Sequence, residues 1–278
     1  MLITEYFPKD AMKDKVVFVT GGGSGINLGI AKHFAALGAK VGICGRRQEK
    51  LDEASAELRS FGGEVFAQSC DVRDYPALQD VIENCDEALG PIDVLVCAAA
   101  GNFPCPAEVL SPNGFKSVVD IDLRGSFHAC HASVEQLKET KGCIIFISAG
   151  QAFLPYPLQC HVGAAKAGVD NLMKNLALEW GKHGIRSNSI APGPIEGTEG
   201  ARRLAPPGTD DLIDEQIPLK RHGTVDEIAQ VAVFLASPLA SYITGTVLVV
   251  DGGQNLPGSG AGFNVIQQAW QEQSGNPG

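Results

Sequence analysis

The chain has 278 residues, 44% of them hydrophobic and 19% charged, a balance that fits a folded core and excludes a disordered chain. Its formal net charge of −10 disfavours nucleic acid as a bulk partner, so any anionic ligand must be held by local basic groups. No apolar run approaches the ~18 residues of a membrane helix. Met1 to Lys15 carries charges and a proline but no apolar signal core, so a cytoplasmic protein with no membrane partner is expected.

Seven short apolar runs, Lys15–Thr20, Val41–Gly45, Val65–Cys70, Ile92–Ala98, Cys143–Ser148, Ile185–Ala191 and Thr246–Asp251, follow one another along the chain. They are rich in Val, Ile and Ala and lack period-two alternation, the pattern of strands buried on both faces of a parallel sheet. Amphipathic stretches such as Gln48–Ser60, Ala77–Ala88, Leu158–Trp180 and Val225–Ala236 lie between them. The pattern predicts an α/β fold: a doubly wound, seven-stranded parallel sheet of the Rossmann type with helices on both faces. One domain over 1–278 is expected, with a Gly/Pro-containing C-terminal tail from about 254. Such sheets bind ligands beyond the carboxyl ends of their strands, so functional residues are sought just after each run. The eight cysteines show no CxxC spacing and sit mostly in apolar runs, as small core residues in a reducing compartment. His128, Cys130 and His131 resemble metal ligands, but no second cluster completes a site, so no metal is expected.

The first run leads directly into Thr20-Gly21-Gly22-Gly23-Ser24-Gly25-Ile26 and then a helix. Glycines here let the backbone turn tightly and approach a pyrophosphate, which rests on the N–H groups of the helix start. The candidate contacts are Gly21, Gly23, Ser24, Gly25 and Ile26. A third glycine would complete the spacing at position 27, where the chain has Asn27. About 20 residues on, an NAD-binding chain places an acid against the ribose. This chain has Cys44-Gly45-Arg46-Arg47 there. A guanidinium holds a 2′-phosphate by charge-assisted hydrogen bonds where an acid would repel it, so NADPH is the expected cofactor. The alternative is two solvated arginines at a helix start. Asp71, with Val72, stands after the third run, where its carboxylate could accept from an adenine amino group.

These segments, with Ala99-Ala100-Gly101, Ala165-Lys166-Ala167-Gly168, Ile185-Arg186-Ser187-Asn188, Ala191-Pro192-Gly193, Ile243-Thr244-Gly245 and Val250-Asp251-Gly252-Gly253, resemble the short-chain dehydrogenase/reductase family over nearly the whole chain. The family's catalytic set is Asn, Ser, Tyr and Lys. Lys166 matches the lysine, while Val162, Ala149 and Asp122 stand at the tyrosine, serine and asparagine positions. Val162 and Ala149 cannot donate a proton, and a missing general acid costs ~10²–10⁴ in rate unless replaced.

One branch carries this altered set. Ala99-Ala100-Gly101-Asn102-Phe103, Asp120-Ile121-Asp122, Gln159-Cys160-His161 and the run Pro192–Gly200 with Arg202-Arg203-Leu204 resemble the 2,4-dienoyl-CoA reductases, and most closely the peroxisomal type. The mitochondrial type keeps a shifted tyrosine, at the place of Gln151 here. The resemblance implies NADPH-dependent reduction of 2,4-dienoyl-CoA to 3-enoyl-CoA in fatty acid metabolism, an acyl-CoA substrate and a homotetramer. It implies Lys166 as the group that holds the nicotinamide ribose and adds positive field, and Asp122 as the group that orients a water as proton donor. Ala99, Gly101, Lys166, Pro192, Gly193, Ile195 and Thr198 join the cofactor contacts, with Ile195 and Thr198 at the carboxamide. Asn102 and Phe103 are the candidates for the acyl chain or thioester, and Arg202 and Arg203 for the phosphates of coenzyme A. Asp170 is expected to pair with Lys166 across one helical turn, and Asp251 to brace the loops. The other readings are a reductase of another enoyl or carbonyl substrate and a catalytically silent NADPH-binding scaffold. The closing Ser274-Gly275-Asn276-Pro277-Gly278 lacks a peroxisomal tripeptide, which adds to the cytoplasmic expectation.

Overall fold

The computed structural model describes residues 3–204, 208 and 210–256. Most of the Gly/Pro-containing tail expected from about 254 therefore lies outside the described residues. The seven runs form strands β1 (Val16–Thr20), β2 (Lys40–Gly45), β3 (Val65–Ser69), β4 (Val94–Cys97), β5 (Cys143–Ile147), β6 (Arg186–Pro192) and β7 (Val247–Val250). All pair in parallel, in the order β3-β2-β1-β4-β5-β6-β7. The order reverses between β1 and β4, which opens a crevice beyond their carboxyl ends.

The helices are α1 (Gly25–Ala36), α2 (Gln48–Arg59), α3 (Tyr75–Leu89), α4 (Pro112–Val119), α5 (Gly125–Thr140), α6 (Cys160–Trp180), α7 (Glu199–Leu204), α8 (Asp210–Gln216) and α9 (Val225–Ala236), with a π-helical turn at Asp120–Arg124 between α4 and α5. Residues of α1, α2 and α9 fill the core on one face of the sheet, and those of α3, α5 and α6 fill it on the other. Helix starts follow local chemistry. Asp74 accepts from Ala77 N ahead of α3, Ser111 accepts from Gly114 N ahead of α4, and Thr224 with Glu227 forms a capping box on α9.

Burial on both faces holds for β1, β4 and β5 but not at the sheet edges. β3 and β7 are only partly covered, and Val249 is 43% exposed, because each has one strand neighbour and fewer helices above it. The expected metal-like trio is otherwise engaged. His128 Nδ1 lies 2.8 Å from Val72 O, His131 Nδ1 lies 2.8 Å from Tyr75 Oη, and Cys130 is buried beside Cys97 with 3.8 Å between sulfurs.

Candidate active site

Two cavities open at the carboxyl ends of the strands and share Ala100 and Gly101. The first, about 330 Å³, lies over β1, β2 and β4. Gly21, Gly23, Ser24, Arg46, Arg47, Asp71, Val72, Ala99 and Gly101 of the sequence reading line it. At Gly21, with φ +69°, an added Cβ would stand 3.0 Å from Ala99 Cα, so only glycine lets the loop pass this close to the β4 tip. Ser24 caps α1 in extended conformation without a side-chain hydrogen bond, which leaves the amides of the helix start to a ligand. Thr20 Oγ1 accepts from Ala98 N (3.0 Å) and Ala99 N (3.2 Å) and fixes the segment after β4.

Asn27 does not act through an unusual backbone angle. It sits inside α1 and its Nδ2 donates to Gly21 O (3.1 Å) and Ala98 O (2.9 Å), tying the glycine loop to β4. The close helix packing falls to Gly29, where a Cβ would meet Val225 Cγ1 of α9 at 2.0 Å. Asp71 is less free than expected. Arg73 donates to both carboxylate oxygens at 2.5–3.1 Å and holds the carboxyl below its usual range. Lys50 joins Arg46 and Arg47 on the wall; its place one turn along α2 was a legible signal.

The second cavity, about 470 Å³, lies over β4, β5 and β6. Lys166, Asp122, Ile26, Asn102, Pro192, Gly193, Ile195 and Thr198 line it, as do Val162, Ala149 and Gln151. Lys166 Nζ donates to Ile147 O (2.8 Å) and stands 3.1 Å from Asp122 Oδ2, with the two side chains 8% and 1% exposed. Asp122 Oδ1 accepts from Gly101 N at 2.7 Å, while Oδ2 has no aligned hydrogen bond among the described residues. The contact with Lys166 is thus an ion pair made by a carboxylate oxygen that is itself buried. The π-helical turn directs Asp122 inward, whereas Asp120 pairs outward with Lys116 and Arg124.

Three expectations are corrected. Phe103 does not line the cavity. Its ring lies 4.5 Å from that of His161 and packs with Val118, Val162 and Ala165 between α4 and α6. Arg203 lies on the wall of the first cavity, its guanidinium donating to Asn102 O (3.1 Å) and Glu199 Oε1 (2.5 Å); Arg202 is exposed on the same helix. Asp170 makes no ion pair with Lys166, which turns to Ile147 O and Asp122 instead. Asp251, by contrast, braces the loop after β7, accepting from Gly253 N, Asn255 N and Asn255 Nδ2 at 2.7–2.8 Å. Tyr156 also reaches the second cavity, where its hydroxyl donates to Asn255 Oδ1 (2.5 Å) and burial pushes the phenol above its usual range.

Residues 21–255 match the family model described as enoyl-(acyl carrier protein) reductase. The chain belongs to the short-chain dehydrogenase/reductase family. Within it, the peroxisomal 2,4-dienoyl-CoA reductase [(3E)-enoyl-CoA-producing] of Saccharomyces cerevisiae is 45% identical over 94% of this chain and 90% of its own length. The rat protein of the same name is 44% identical over 90% of this chain and 88% of its own. These family members are named peroxisomal, which corrects the expectation of a cytoplasmic protein drawn from the N-terminal segment and the closing residues. Among solved structures of the family, a short-chain dehydrogenase from Bacillus anthracis superposes with TM-score 0.80 at 46% identity, covering 88% of this chain and 98% of that one. An NADPH-bound short-chain oxidoreductase from Pseudomonas aeruginosa PAO1, described as containing an atypical catalytic center, gives TM-score 0.82 at 32% identity with the same coverage.

Proposed function

We propose that this family member reduces 2,4-dienoyl-CoA to 3-enoyl-CoA with NADPH, in the peroxisomal compartment for which its relatives are named. The observation that carries the reading is the buried Lys166–Asp122 pair at the junction of two cavities, with valine and alanine where the family places its phenol and hydroxyl. The first cavity fits a dinucleotide phosphate in shape and charge. Gly21 lets the glycine loop pass close to the tip of β4, and Arg46, Arg47 and Lys50 crowd the end where a 2′-phosphate would lie.

NADPH, when bound, supplies a hydride to the δ-carbon of the dienoyl thioester. Charge then spreads through the dienolate to the thioester oxygen, where a developing anion is stabilised by the ammonium of Lys166. Lys166 also holds the nicotinamide ribose. Asp122, kept in place by the hydrogen bond from Gly101 N and the ion pair with Lys166, orients the water that protonates the α-carbon. Asn102, on the cavity wall with Oδ1 unpaired among the described residues, contacts the thioester end of the substrate. Arg203, on the wall of the first cavity, stands on the cofactor's side, and Arg202, exposed beside it on α7, is the candidate for the phosphates of coenzyme A. A homotetramer belongs to the same reading. The test is NADPH consumption on adding short and long dienoyl-CoA chains, with mass photometry for the assembly. A wild-type protein that binds NADPH and reduces none of them is a scaffold, and the proposal fails.

A further inference from the structure

Beneath Lys166, the layer between α6 and the sheet is polar where its surroundings are apolar. α6 is pinned to the sheet at two heights. Lys166 Nζ donates to Ile147 O at the tip of β5, and two turns on Ser187 Oγ of β6 donates to Met173 O at 3.0 Å. Asp170 stands one turn from each. Ile147 and Ile190 face the core on the α1 side, so their neighbours Ser148 and Ser189 face α6, and the register pairing Phe146 with Ser189 sets both hydroxyls at the level of Asp170. The three side chains are 7%, 3% and 0% exposed, amid Val169, Met173 and Phe146. Ser148 also reaches the wall of the second cavity.

A carboxylate in this layer is costly. Burial, the largest effect, pushes the Asp170 carboxyl above its usual range, while the hydroxyls of Ser189 and Ser148 and then the charges of Lys166 and Lys174 act the other way. The charged groups facing it are thus Lys166 and Lys174 on α6 itself, with Asp122 across Lys166 from the π-helical turn; Ser148, directly after β5, and Ser189 of β6 contribute the two hydroxyls. An apolar residue or an amide would serve packing better. A charge kept against stability beside a working ammonium points to function.

We propose that Asp170 is a positioning residue for the reductive step, which together with Ser148 fixes the ammonium of Lys166 from below and joins that charge to the wall of the substrate cavity. The inference rests on the reading of Lys166 as the group that holds the cofactor's ribose. The ammonium has three donors. One goes to Ile147 O and one faces Asp122, and a negative charge one turn down the same helix limits its swing toward solvent.

The test is fluorescence titration of NADPH across a range of pH on wild type, Asp170→Asn and Ser148→Ala, with thermal melts on each. At neutral pH Asp170→Asn should bind NADPH roughly two- to thirtyfold more weakly, the scale of a supporting interaction. That difference should vanish as pH falls through the titration of Asp170, because the protonated acid then resembles the amide; comparing the two proteins at each pH cancels the cofactor's own titration. Ser148→Ala should move the same fall to higher pH, since the carboxylate loses the dipole of a nearby buried hydroxyl. Asp170→Asn should melt no lower than wild type at neutral pH, because it removes a buried charge. Equal affinities at every pH, a deficit that persists unchanged in acid, or a lower melting temperature makes Asp170 a structural brace and overturns the inference, as does a wild type that does not bind NADPH. If wild type binds NADPH but reduces no dienoyl-CoA, the proposed function falls while the titration still decides the role of Asp170.

Discussion

Replacing Asp122 removes two interactions at once, and the two replacements divide them. In Asp122→Ala, Gly101 N loses its acceptor and the ammonium of Lys166, 8% exposed, loses its only ion-pair partner within 4 Å among the described residues. Breaking a buried pair by removing one member costs about 3–5 kcal/mol. For a chain of this size each kcal/mol lowers the melting temperature by about 2–4 °C, so a drop of roughly 6–20 °C is expected. Asp122→Asn keeps an acceptor for Gly101 N but places a neutral amide against Lys166, so its loss should be well under half of that. Turnover should fall by ~10²–10⁴ in both, because neither side chain presents a carboxylate to the water. NADPH affinity should hold in Asp122→Asn. Steady-state kinetics, cofactor titration and thermal melts on the same preparations check all three quantities. Near-wild-type turnover in both variants would refute the reasoning and pass the proton to another donor in the cavity, with Tyr156 the first to test.

Arg46→Ala with Arg47→Ala should weaken NADPH by roughly ten- to a hundredfold, the loss of one or two charge-assisted hydrogen bonds, and leave NADH nearly unchanged; unchanged NADPH affinity in a titration would assign the phosphate elsewhere. Val162→Tyr adds a ring in a site 2% exposed, packed with Val118 and Ala165, and should cost about 1–3 kcal/mol of stability by urea unfolding without raising turnover; a gain in turnover would count against the water mechanism. Glu227 is paired with Arg221, which chiefly lowers its carboxyl from 4.5 to about 2. A lowered carboxyl contributes stability that is full above its unfolded value and lost as pH falls through the folded one. Glu227→Gln should therefore flatten the fall in urea midpoint between pH about 4.5 and about 2; an unchanged acid arm would deny the pair any role.

The fold was legible because strand burial and helix period are local signals, and each apolar run between β1 and β7 appears within two residues of its place. The glycine loop, Arg46 and Arg47 follow the ends of β1 and β2, a local signal, whereas Lys166 and Asp122 came from the family resemblance and meet in space from α6 and the π-helical turn. What escaped depended on distant partners. Asn27 reads as a defect in a glycine pattern until its amide is seen bridging Gly21 O and Ala98 O. Phe103 reads as a loop residue until His161 is found beneath it. Asp170 satisfies the i,i+4 rule on paper, yet Lys166 has better acceptors in Ile147 O and Asp122, and spacing along a helix is silent about competitors from the sheet. The π-helical turn at Asp120–Arg124 has no sequence period of its own.

That turn bears on how this stretch tolerates insertion and deletion. A π turn carries one residue more than the α-helix it interrupts. Deleting a single residue between Val119 and Gly125 would let α4 and α5 join as one regular helix with both flanks kept near their present phase, while the bulge between them, and with it the direction of Asp122, would be lost. Asp122 would leave the cavity and one of its outward neighbours would take the inward direction, although no catalytic residue had been substituted. Point changes in this segment can be graded one side chain at a time, but changes in length cannot. Engineering that lengthens or shortens the connection should be confined to the loop from Pro104 to Leu110, upstream of α4, where an added residue leaves the phase of Asp122 unaltered.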